Sequence, residues 1–246
     1  MLGVIVLHPP HTGESYETFL AELTAKRTPK HYLEVGVSAG NVLARVTAQH
    51  AVGVDPNFVI AHNIAAHKQS VSLYQYSSDV YFSHARPAEP FDFIFLDGMH
   101  VFEYLLRDFY NAERLSHRKT LIAMHDCMPL NGDMADRIEA QAVSKGASSP
   151  YAGWWTGDVW KIIPILKEYR PDLKLVFLDC PPTGLVFVTG LDPSSDVLDR
   201  SYLEIVEKYA AIPNTTERIE RLYETFAITS SASITHEMDH SLYFAT

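Results

Sequence analysis

Five short stretches of this 246-residue chain carry side chains able to do chemistry. They are Gly36-Val-Ser38-Ala-Gly40, Asp55, Ser77-Ser78-Asp79, Asp97-Gly-Met-His100 and His125-Asp126-Cys127. Asp97 and Asp126 each follow an apolar run. Two carboxylates at neighbouring strand ends repel unless something cationic sits between them, and a divalent metal is one such cation. His100 comes three residues after Asp97, where an imidazole facing the same cleft could take a proton. His125 could ligate a metal or serve as a hydrogen-bonded turn histidine. Asp55 stands about twenty residues after the glycine turn, the spacing at which an acidic side chain accepts hydrogen bonds from both ribose hydroxyls. It also precedes Pro56, so a capping role is the plainer alternative. The turn itself should leave backbone N–H groups pointing outward, ready for an anionic or polar ligand.

The elements around these stretches follow from periodicity. Glu14–Lys26 has apolar residues at helical spacing and should end before Pro29. A buried strand at Tyr32–Val35 leads through Gly36 and Gly40 into a helix from Asn41 to about Gln49. Ala51–Val54 reads as strand two, Phe58–His67 as a helix, Val71–Gln75 as strand three and Phe91–Leu96 as strand four. Phe102–Leu115 is helical and Thr120–Met124 is strand five. This alternation implies a mostly parallel sheet with helices on both faces. Leu173–Leu178 and Leu185–Val188 are separated by too few residues for a helical crossover, so they form an antiparallel hairpin at the sheet edge. The fold class is therefore α/β, a Rossmann-like doubly wound sheet of seven strands. In such a sheet, ligands bind beyond the carboxyl ends of the strands, where Asp55, Asp79, Asp97 and Asp126 all fall. Asp97 and Asp126 should lie outside the core.

One domain spans residues 1–246. It comprises a lead-in and helix (1–29), a cofactor-binding core (30–190) and a helical extension (191–246) whose polar end from Thr229 should be mobile. The net charge of −10 and the absence of a Lys/Arg stripe exclude nucleic acid as the main partner. No apolar run is long enough to span a membrane, and Leu2–Leu7 is too short for a signal segment. Two cysteines, Cys127 and Cys180, suit a reducing compartment, so a soluble cytoplasmic protein is expected, with room for a homo-oligomer. Trp154 and Trp155, flanked by Gly153 and Gly157, could form an aromatic wall over a substrate, whereas Trp160 should pack in the core. Arg107 and Asp108 read as helix charges without a site role. Pro9-Pro10-His11-Thr12 could border the cleft.

Tyr32-Leu-Glu-Val-Gly-Val-Ser-Ala-Gly40, Asp92-Phe-Ile-Phe-Leu-Asp-Gly-Met-His100 and Met124-His-Asp-Cys127 resemble class I S-adenosylmethionine-dependent methyltransferases. The likeness is to the small group that includes macrolide sugar O-methyltransferases and cephalosporin hydroxylase-like proteins. It covers roughly residues 30–190. The resemblance implies that Glu34, Gly36, Ser38 and Gly40 surround the methionine end of S-adenosyl-L-methionine, with Asp97 also at the cofactor. It implies that Asp55 holds the ribose and that Ser78 or Asp79 lies near the adenine. It further implies a divalent metal, Mg²⁺ or Mn²⁺, on Asp97, His125 and Asp126, and His100 as the group that takes a proton. Relatives of this kind carry two acidic residues where this chain has His125-Asp126, a change that disfavours Mg²⁺ relative to metals that accept imidazole. The implied activity is methyl transfer to a hydroxyl of a small acceptor. A non-catalytic cofactor-binding scaffold and a nicotinamide-dependent oxidoreductase are the alternatives. The late hairpin speaks against the latter.

Overall fold

A computed structural model of the chain describes residues 11–236 and 243–244. Helix α1 (Tyr16–Arg27) starts at Ser15, whose hydroxyl accepts from the Thr18 amide, and ends at left-handed Thr28. The elements that follow are β1 (His31–Val35), α2 (Asn41–Arg45), β2 (His50–Val54), β3 (Ser70–Tyr74), α3 (Ser78–His84), β4 (Phe91–Leu96), α4 (Phe102–Arg114) and β5 (Ser116–His125). Then come α5 (Glu139–Gly146), a 3₁₀ turn (Val159–Lys161) running into α6 (Ile162–Tyr169), β6 (Lys174–Leu178) and β7 (Leu185–Thr189). Helices α7 (Val197–Arg200), α8 (Tyr202–Ala210) and α9 (Thr216–Tyr223), strand β8 (Ile228–Thr229) and helix α10 (Ser231–His236) complete the described chain.

The strands form one sheet in the order β3-β2-β1-β4-β5-β7-β6-β8. β1 to β5 are parallel, and β7 runs antiparallel to both β5 and β6. The expected architecture holds, with one correction to the strand count. The hairpin is not the edge, because two-residue β8 pairs parallel with β6. So short a strand carries no signal of its own; it is placed by Phe226, whose ring stacks on Phe177 at 3.9 Å. Strands β1, β4 and β5 are buried on both faces between two apolar layers. That explains why they read as continuous apolar runs.

One expectation fails for an identifiable reason. Residues 58–67 are not a helix. Their amides are spent on the glycine turn, Val59 N–H on Ser38 O (3.1 Å) and Ala61 N–H on Ala39 O (2.9 Å). Ile60 and Ile64 then press on Gly40, where a Cβ would lie 2.7 Å from the Ile64 side chain. At the start of the polar end, Ser231 is buried and bonded. The Ser231 amide donates to Asp179 Oδ1 (2.7 Å), and the Glu14 amide to Ser231 Oγ (2.9 Å). The Gly13 amide also reaches Asp179 O (2.9 Å), so Asp179 ties both described ends of the chain to the β6–β7 turn. Pro9 and Pro10 and the Leu2–Leu7 run lie outside the described residues.

Candidate active site

The carboxyl ends of β1, β2, β4 and β5 open into a cavity of about 580 Å³, within the range of small-molecule sites. Gly36, Ser38, Asp55, Ser78, Asp97, His100, His125 and Asp126 all line it. Glu34, Gly40 and Asp79 do not.

The glycine turn is shaped by position rather than by free amides. Gly36 has φ +89°, and a Cβ there would sit 1.9 Å from Asp97 O, so only glycine lets β1 and β4 close at this point. The turn's N–H groups do not all face outward as expected. Gly36 N–H bonds Val54 O, Gly40 N–H bonds Val37 O, and Ser38 N–H donates to Asp55 Oδ2 at 2.8 Å. The anion held by the turn is the chain's own Asp55, whose Oδ1 also takes the Asn57 amide (2.7 Å). Each carboxylate oxygen keeps a second lone pair, so two hydroxyl donors can still be accommodated.

Glu34 lies under this floor, 1 % exposed, and accepts a hydrogen bond from the Tyr32 hydroxyl at 2.7 Å. Burial pushes its carboxyl up to about 8, against the opposing pull of the Tyr32 bond and Lys68. A carboxyl raised above its unfolded value costs stability as pH climbs, because the unfolded chain releases that proton earlier. The wild-type chain should therefore lose thermal stability relative to Glu34→Gln as pH rises from about 5 to about 8. Melting curves of both proteins across that range check this; a constant gap between them contradicts it.

At the other end of the cavity four side chains converge. His100 Nε2 is 3.1 Å from Asp126 Oδ2 and 3.8 Å from Asp97 Oδ1. His125 Nδ1 is 3.3 Å from Asp97 Oδ1 and 3.4 Å from Asp126 Oδ2. The two carboxylates are thus bridged by two imidazoles. Burial alone would lower the pKa of His125, but Asp126 and Asp97 overcome that and raise it to about 10. Burial would likewise raise that of Asp126, yet His125 and His100 hold it well below the ordinary carboxylate range. With its pKa raised that far, His125 places a positive charge beside the paired carboxylates at neutral pH. Asp126, expected outside the core, is 6 % exposed and sits at φ +58°, a conformation Asp tolerates better than most residues.

Three residues that sequence reasoning missed complete this cluster. Tyr16 of α1 stacks on His125 at 4.0 Å. Thr183, in the β6–β7 turn, donates to Asp126 Oδ1 at 2.6 Å. Asp108 of α4, read as lacking a site role, is buried beneath Gly98 and Ser78, and burial raises its carboxyl to about 7. Tyr16 carried only the signal of an apolar helix position, and Thr183 none. Asp79 faces away and forms a paired contact with Arg107 at 2.7 and 2.9 Å. Trp155 rests on His100 with ring centroids 4.7 Å apart, and Trp160 is buried as expected. His11 points to the Met128 carbonyl and the Tyr223 hydroxyl.

Residues 33–127 match a family model described as a methyltransferase domain. The matched stretch is less than half of the chain. It contains the glycine turn, Asp55, Asp97, His100, His125 and Asp126. No curated protein matches the chain. Among solved structures, an O-methyltransferase from Bacillus cereus in complex with SAH is 16% identical, with a TM-score of 0.46, covering 73% of this chain and 83% of that one. TomG from Streptomyces achromogenes, an O-methyltransferase of tomaymycin synthesis in complex with SAM, is 17% identical with a TM-score of 0.44, covering 70% and 78%. MycE, a methyltransferase of the mycinamycin pathway in complex with Mg, SAH and mycinamycin VI, is 13% identical with a TM-score of 0.42, covering 73% and 49%. Likeness of this strength says nothing about the ligands of this chain.

Among the described residues, no helix is long and apolar enough to cross a membrane.

Proposed function

We propose that this chain is an S-adenosylmethionine-dependent O-methyltransferase acting on a hydroxyl of a small molecule, such as a sugar or a glycosylated natural product. One observation carries the reading: within a stretch that matches a methyltransferase-domain model, a single cavity brings Asp55 together with Asp97, His100 and Asp126. The cofactor, when bound, supplies an electrophilic methyl group on a sulfonium. Asp55 would accept the two ribose hydroxyls, Ser78 would lie by the adenine, and Gly36 and Ser38 by the amino-acid portion. His100 Nε2 takes the acceptor's hydroxyl proton as the new O–CH₃ bond forms and the S–CH₃ bond breaks. Holding the reacting atoms in line provides much of the acceleration in such a displacement.

The donor set also fits a divalent ion. Asp97, His100 and Asp126 each offer one atom within 4.8 Å of the others. The ion would lower the pKa of an acceptor hydroxyl, and the imidazole in the set favours Mn²⁺ over Mg²⁺. Either Asp97, Asp126 and His125 hold it, leaving His100 free as base, or His100 itself is the nitrogen ligand. The base role given to His100 goes with the first set, since one Nε2 lone pair cannot hold an ion and take a proton at once. In both cases the ion competes with the His125 proton for the same two oxygens.

Asp55→Ala should weaken S-adenosylhomocysteine binding by roughly tenfold or more, since a hydrogen bond to a charged group is worth about 1.5–3 kcal/mol. It also releases the Ser38 and Asn57 amides, which adds to the loss. Calorimetric titration measures the effect. Wild-type affinity in the variant, or tight binding of NADH by the native chain, contradicts the proposal.

A further inference from the structure

Catalytic histidines are ordinarily fixed by a hydrogen bond to the ring nitrogen that does not react. His100 lacks one. Its Nδ1 is buried and has no partner among the described residues, while Nε2 faces the two carboxylates. Some other contact must set the plane of this ring.

The turn Trp155-Thr156-Gly157-Asp158 supplies it. The Trp155 indole lies over the imidazole at 4.7 Å with the planes inclined by 34°. Gly157 touches the backbone of the same residue; a Cβ there would fall 1.7 Å from His100 O, and its φ is +56°. Asp158, fully buried, accepts the Phe102 amide (3.0 Å), the first of α4, two residues beyond His100. The turn is itself anchored on three sides. Trp155 Nε1–H donates to Asp136 O (2.7 Å) and Thr156 to Met134 O (3.0 Å). Arg137 and Lys161 both donate to Asp158 Oδ2 (2.7 and 3.0 Å). His100 is therefore gripped at its ring, its carbonyl and the helix start that follows it, all from one four-residue turn.

We propose that Trp155 and Gly157 are positioning residues that fix the His100 imidazole in the cleft, in place of the hydrogen bond its Nδ1 lacks. As a statement about catalysis this rests on the reading of His100 as general base. Trp155 holds the ring against rotation about χ1 and χ2, and Gly157 permits the close backbone approach that brings the indole over it. The indole is fixed in turn by its own N–H on Asp136 O, so the grip does not depend on a bound ligand.

The test is NMR of the full-length protein labelled at histidine, with the His100 signals assigned by their disappearance in His100→Gln. Three-bond couplings report χ1. The native chain should show single-rotamer couplings together with the upfield ring-proton shift produced by the indole. Trp155→Leu should give rotamer-averaged couplings and lose the shift. Trp155→Phe, which keeps a stacking ring, should restore the single rotamer. Gly157→Ala should average the couplings with Trp155 still present, and it decides the matter if Trp155→Leu does not fold. Native couplings in Trp155→Leu, or in a folded Gly157→Ala, overturn the proposal. S-adenosylhomocysteine titration of the same samples keeps the two readings apart: a native chain that binds none of it refutes the methyltransferase reading, while the couplings still decide whether the turn holds His100.

Discussion

His100→Ala should lower methyl-transfer turnover by about 10²–10⁴-fold, the usual worth of a general base, while S-adenosylhomocysteine affinity changes little. The ring sits beside Asp97 and Asp126, whereas Asp55 is bonded to the glycine turn, which is why the two effects should separate. His100→Gln keeps a polar group beside Asp126 but cannot take a proton, so it should be nearly as slow. The measurement is release of S-adenosylhomocysteine with an acceptor that the wild-type chain turns over, followed against pH. The ascending limb expected of wild type should be altered or missing in both variants. The same assay in excess EDTA addresses the metal. Lost activity restored by Mn²⁺ supports the ion between Asp97 and Asp126, and full turnover leaves the His125 imidazolium as the only cation those carboxylates need. Near-native turnover by His100→Ala removes His100 from the role of base.

The second large effect is on stability. Asp126→Ala removes one partner of a buried ion pair and leaves the His125 imidazolium facing Asp97 alone, a change that typically costs about 3–5 kcal/mol. Alanine at φ +58° adds strain that Asp does not carry there to the same degree. Asp126→Asn suits that backbone and can still accept from Thr183, so it should destabilise less. The pH dependence has a definite sign. His125 is raised above its unfolded value, so its contribution is complete below about pH 6.5 and fades as pH climbs towards about 10. Asp126 is lowered, so its contribution is lost only in acid. The gap between wild type and Asp126→Ala in urea unfolding should thus be widest from about pH 5 to 6.5 and narrow above. A gap that widens in alkali would mean that His125 is not the charged partner.

Most of the sheet was legible because β1, β4 and β5 are buried on both faces, which leaves unbroken apolar runs in the sequence. The switch from parallel strands to a hairpin was equally plain, since Asp179–Gly184 is too short for a crossover. What escaped depends on partners distant in the chain. Phe58–His67 has helical composition, but its amides meet carbonyls of Ser38 and Ala39, and no local periodicity reports that pairing. The stretch after Thr229 is polar, yet Ser231 is buried because Asp179 and Glu14 reach it. At the site, residues directly following strands were found by position alone: Asp55, Asp97, His100, His125 and Asp126 all reach one cavity. Their division of labour was less visible. Two carboxylates suggested a metal, and it took the fold to show His125 already lodged between them and Thr183 arriving from the far hairpin.

Asp179 has a practical consequence for anyone handling this protein. It receives the amides of Gly13 and Ser231, and the turn it begins delivers Thr183 to Asp126. Trimming the polypeptide as far as Gly13 or Ser231, or fusing a rigid cargo close to either, therefore tugs on a clasp only four residues from Thr183. Tags are better carried on long, slack spacers.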